Sequence, residues 1–136
     1  MSALPDAAPQ PEARCYALEQ LRIAQSEIPQ LTQAMVMSRA HVEQHRNTDL
    51  AAARDDYSEL QNTRKKLADT LGNVQLLLME AEEYSLASAA GKLREGLLGF
   101  NLMSNVYRPV YDALNDFAAQ LPLGALCLIH QLFLMS

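Results

Sequence analysis

The stretch Leu50 to Ala81, LAAARDDYSELQNTRKKLADTLGNVQLLLMEA, decides the fold. Within it Leu50, Ala53, Tyr57, Leu60, Leu67, Leu71, Val74, Leu78 and Ala81 recur at intervals of three and four, with Arg64 as the one polar member of the series. Such spacing draws a narrow apolar stripe down one side of a helix, so this segment is built to lie against another helix. Gly72-Asn73 is its weak point, because a glycine in a helix interior costs about 1 kcal/mol relative to alanine. The apolar register nevertheless passes Gly72 unbroken, which predicts a continuous helix. Helix-forming residues run on to about Ala90, a rod about 60 Å long at a rise of about 1.5 Å per residue.

A second stripe precedes it: Leu21, Ala24, Ile28, Leu31, Met35, Ser38 and Val42. Pro29 interrupts that pattern, removing a backbone donor and restricting Ile28, so a helix start near Ser26 or a bend is expected there. Between Val42 and Leu50 the apolar phase slips by one residue, and Asn47 and Thr48 are cap-like. A short αα-hairpin turn accounts for both observations. Residues 1–12, with Pro5, Pro9 and Pro11 among Ala, Ser, Asp and Gln, read as a disordered arm.

The chain changes character after residue 95. Apart from Arg108, Asp112 and Asp116, every Asp, Glu, Lys and Arg lies before that point. Gly91, Gly96, Gly99, Pro109, Pro122 and Gly124 divide this apolar third into short pieces, predicting helices at about 106–120 and 125–135. Val106, Val110, Leu114 and Phe117 fall on one face of the first, with Tyr107 and Tyr111 beside them, a second candidate contact face. The expected architecture is therefore all-α: an arm (1–12), an elongated antiparallel, coiled-coil-like helical hairpin (13–98) and an apolar C-terminal helical segment (99–136).

Composition narrows the functional classes. A net charge of -5 argues against nucleic acid or anionic lipid as the main partner, since phosphate binding needs a concentrated basic face. The run Arg64-Lys65-Lys66 reads as a solvated helix face, with Asp69 one turn beyond Lys65 as its support. Two cysteines, Cys15 and Cys127, at opposite ends of 136 residues predict no disulfide framework and a reducing compartment, cytoplasmic or nuclear. The first fifteen residues carry no apolar signal core.

Candidate chemical sites are weak. His41 and His45 stand four apart, a spacing at which both could reach one zinc ion, but Glu43 is misplaced for an HExxH base and no third ligand group is visible. Glu80, Glu82, Glu83 and Tyr84 form a small acidic group that reads as a solvated face. No Gly-rich phosphate loop, nucleophile elbow or paired carboxylate pocket occurs, so no catalytic residue, metal or cofactor is expected.

The function expected from these features is a non-enzymatic helical subunit or adaptor of a multi-protein complex. Its partner would be a protein, met by helix–helix contact, with homodimerisation as one form of it. The expected partner-binding residues are Leu60, Arg64, Leu67, Leu71, Val74 and Leu78 on the stripe and Leu126, Ile129 and Phe133 in the tail. The alternative is a membrane-associated protein held by the apolar tail, which at about fifteen residues is short for a span that wants about twenty.

Overall fold

The computed structural model describes residues 11–122, which form four helices: α1 (Pro11–His45), α2 (Leu50–Glu80), α3 (Tyr84–Gly99) and α4 (Arg108–Ala119). The all-helical expectation holds, and α1 and α2 form the antiparallel hairpin. Each helix packs on the next, and α4 closes back on α1. Contacts across the gaps give the directions. Arg94 Nε donates to the Ala68 carbonyl at 3.2 Å, setting α3 beside the second half of α2, and Gln25 Nε2 donates to the Ala118 carbonyl at 3.1 Å, setting α4 antiparallel to α1. The result is an up-down-up-down four-helix arrangement in which the α1–α2 hairpin projects beyond the two shorter helices.

The core lies where the four apolar stripes meet. Leu21, Ile28 and Met35 of α1 and Leu60, Leu67, Leu71, Val74 and Leu78 of α2 are buried there, joined by Ala87, Ala90 and Leu97 of α3 and by Tyr111, Leu114 and Phe117 of α4. At roughly 1.5–3 kcal/mol for each buried large aliphatic side chain, this shared burial is what holds the helices together.

Three local features differ from the sequence reading. First, of the two outcomes expected at Pro29, a start near Ser26 is excluded, because α1 runs through the proline as one helix. The proline forfeits one helical hydrogen bond, and burial of the adjoining Ile28, Thr32 and Met35 offsets the loss. Secondly, α2 does pass Gly72, but it ends at Glu80 and not near Ala90. The end is a Schellman motif: the Glu83 N–H donates to the Leu78 carbonyl at 2.8 Å and the Glu82 N–H to the Met79 carbonyl at 3.0 Å. Glu82 takes the left-handed position at φ 63°, which glycine ordinarily fills, so the usual stop signal is missing from the sequence. Thirdly, the cap of α2 is Asp49, which accepts from the Ala52 N–H at 3.1 Å, and not Asn47 or Thr48.

Cys15, buried near the head of α1, is disulfide-bonded, which corrects the expectation of unlinked thiols. Sequence separation was the ground for that expectation, and separation along a chain does not limit approach in space. No ion pair joins Lys65 to Asp69 among the described residues. No helix among them is long and apolar enough to cross a membrane.

Candidate functional site

The connection between α3 and α4, residues 100–107, is held by several side-chain hydrogen bonds. It folds on its own side chains: Asn101 Oδ1 accepts from the Met103 N–H at 3.0 Å, and Ser104 Oγ accepts from the Val106 N–H at 3.1 Å. Two arginines from the long hairpin then hold it. Arg64 of α2 donates to the Phe100 carbonyl at 2.9 Å, and Arg39 of α1 donates to the Ser104 carbonyl at 3.0 Å. The Arg39 guanidinium also lies over the Tyr107 ring, 4.0 Å from its centroid. Arg64, expected to face a partner from the stripe, thus serves to fasten a loop of its own chain.

Tyr107 and Tyr111 start α4, one turn apart, with ring centroids 5.5 Å apart; Phe100 meets Tyr111 edge-on at 6.1 Å. Tyr111 is 4% exposed, and among the described residues neither its hydroxyl nor Arg39 Nε has a hydrogen-bond partner. Burial pushes the Tyr111 phenol above its ordinary value of 10.0, the cations of Arg39 and Arg64 oppose that shift, and Tyr107 adds to it. Beside these rings a groove of about 280 Å³ opens between α1 and α4, lined by Thr32, Gln33, Val36, Tyr107, Arg108, Tyr111, Asp112 and Asn115. It is the place where aromatic rings, amides, a carboxylate and cations converge. The sequence reading placed Tyr107 and Tyr111 on a contact face, but nothing in spacing could bring Gln33 or Arg39 to them.

Other grooves are plainer. One, on the outer side of the α1–α2 pair, is lined by Gln20, Ile23, Ala24, Glu27, Thr70, Asn73, Val74 and Leu77. Another, about 540 Å³ between α2 and α3, is lined by Asp69, Gly72, Asn73, Gln75, Leu76 and Arg94.

The expected partner-binding residues of the stripe are placed inward. Leu60, Leu67, Leu71, Val74 and Leu78 are all buried in the chain's own core. Leu126, Ile129 and Phe133 lie outside the described residues. His41 and His45 are not brought into a metal site: His45 Nδ1 pairs with Asp56 Oδ2 at 2.9 Å, and no metal-binding group of three occurs among the described residues. Glu82 of the acidic group faces Arg14 at 3.6 Å.

Residues 8–132 match the model of an uncharacterised methyltransferase family (DUF6094). The chain belongs to that family. Neither a curated protein nor a solved structure matches it. The family match overturns the expectation of a non-enzymatic adaptor and the statement that the chain is no enzyme: a helical stripe shows how a chain packs, and carries no information on chemistry performed elsewhere on its surface.

A methyltransferase requires a methyl donor, commonly S-adenosylmethionine. Binding such a nucleoside calls for an enclosed slot for the base, a carboxylate for the ribose hydroxyls and backbone N–H groups at close approach, the combination that glycine-rich turns at strand ends supply in nucleotide-binding folds. The described residues do not fit it. Gly72, Gly91, Gly96 and Gly99 all lie inside helices, and no described glycine has positive φ. The α1–α4 groove offers Asp112, but Arg108 lines it and Arg39 covers the Tyr107 face, so a sulfonium cation would meet like charge.

Proposed function

We propose that this chain works in methyl transfer and that its four-helix unit serves the methyl acceptor through the α1–α4 groove. The observation that carries the reading is the family match, which spans residues 8–132 and so takes in all four helices. The groove supports the acceptor side of it. Gln33 and Asn115 carry amides that both donate and accept, Asp112 accepts, and Arg108 donates, around the two tyrosine rings. That set suits a polar group held by several hydrogen bonds, the type of recognition that rejects a substrate lacking one of them most strongly.

The test is labelling of a native extract with methyl-labelled S-adenosylmethionine, before and after removal of this chain. The expected result is a labelled product that disappears on removal, returns with the purified chain and fails to return with Asn115→Ala. An unchanged labelling pattern would refute the reading.

A further inference from the structure

We infer that the methyl donor is bound by polypeptide outside residues 11–122, on a separate donor-binding fold that the four-helix unit must meet in order to act. This rests on the reading of the chain as a participant in methyl transfer, and three independent observations carry it.

The first is backbone architecture. Nucleotide-type donors sit in a crevice at the carboxyl ends of parallel strands, where a tight turn lets the backbone approach the ligand. Residues 11–122 present four helices that close on one another in a ring, and their shared interior is filled by leucine, alanine and aromatic side chains. In the connections between helices several polar groups are already engaged: Asp49 caps α2, the Glu82 and Glu83 amides close the end of α2, and Asn101 and Ser104 bond within their own loop.

The second is the distribution of glycine. The whole chain has five, at 72, 91, 96, 99 and 124, and no two are separated by fewer than two residues. Gly96 and Gly99, the nearest pair, lie in α3, where the backbone is hydrogen-bonded to itself. Gly91 also lies within α3, facing the movable end of the Gln75 side chain, whose Nε2 would be 2.7 Å from a Cβ placed there.

The third is charge. Around the α1–α4 groove Arg39 and Arg108 outnumber Asp112, the reverse of what a sulfonium cation requires. A groove between α2 and α3 has Arg94 opposite the single carboxylate of Asp69, and two further grooves on the α1–α2 pair, beside Glu27 and Glu80, are lined by helix residues alone with no glycine turn to admit a ligand to the backbone.

Equilibrium dialysis of the purified chain against radiolabelled S-adenosylmethionine tests the inference. A cooperative thermal melt on the same sample shows that the helices are folded. The expected result is no saturable uptake at about 1 mM ligand, corresponding to a Kd weaker than about 1 mM, and no rise in melting temperature on adding S-adenosylhomocysteine. Uptake approaching one donor per folded chain, or a ligand-dependent rise in melting temperature, would overturn it. Loss of the acceptor reading has a different signature, since that depends on extract labelling, where the donor fold is supplied by the extract. Donor binding by the chain, together with chain-dependent labelling, would sink this inference and leave the proposed function standing.

Discussion

The guanidinium of Arg39 lies 4.0 Å from the centre of the Tyr107 ring while its Nη2 donates to the Ser104 carbonyl, so one side chain of α1 holds both the loop before α4 and the first residues of that helix. The wall of the α1–α4 groove depends on this double contact. Arg39→Ala removes the cation–π contact and the charged hydrogen bond, and a loss of about 1–3 kcal/mol is expected. Urea denaturation measures it. Amide exchange at residues 101–106 should rise at the same time, whereas loss of stability spread evenly over all four helices would speak against a local clamp.

Tyr111→Phe has the opposite sign. The hydroxyl is buried with no partner among the described residues, and an unsatisfied buried donor costs about 1–3 kcal/mol. The variant should be at least as stable as the parent at pH 7. A drop of about 1 kcal/mol or more would mean that the hydroxyl is bonded in solution.

The same residue sets an alkaline effect. Its phenol is raised above 10.0 in the folded chain, so above about pH 10 the unfolded chain loses the proton first, and ionisation favours unfolding. This contribution is fully present below the ordinary value and is lost as pH rises towards the folded one. Denaturation midpoints should therefore fall above pH 10, less steeply in Tyr111→Phe than in the parent. Equal slopes would remove Tyr111 as the source.

Leu67 and Leu76 both lie on α2, but Leu67 is fully buried and Leu76 is 66% exposed. Leu67→Ala is expected to cost about 2–5 kcal/mol, and Leu76→Ala to change stability by about 0.5 kcal/mol or less. Chemical denaturation of the two proteins distinguishes a stripe that packs on its own chain from one left open.

Gly96 meets nothing within 4 Å where a Cβ would sit, and it lies inside α3. Gly96→Ala should stabilise the chain by about 0.5–1 kcal/mol through helix propensity and restriction of the unfolded state. Gly91→Ala should gain less, because the end of the Gln75 side chain must first move aside. Thermal melts of both variants read the difference.

Much of the fold was legible in side-chain spacing. The stripes of α1 and α2, the turn between them and the helix at 108–119 follow from three-four periodicity and local breakers, which act over a few residues. The end of α2 was not legible, because Glu82 holds a backbone conformation normally marked by glycine, and surrounding contacts enforce it. The candidate site was harder still. Tyr107 and Tyr111 stood out as scarce aromatics and Arg64 as the one polar member of the stripe, yet Arg39 and Gln33 carried only the features of ordinary polar positions on amphipathic helices. The stripe itself misled the functional reading, since apolar periodicity signals burial and cannot distinguish burial within a chain from burial against another.

Periodicity and composition by themselves determined that this chain is helical, where its first turn falls and which faces seek cover, because hydrogen bonding and amphipathic patterning are short-range properties of the polypeptide. Only the tertiary structure decided that α4 closes back on α1, that two arginines hold the connection to it and that a groove rich in hydrogen-bonding groups opens there. Those contacts join residues more than thirty positions apart, and their geometry depends on how four buried faces pack together at once, which no single segment encodes.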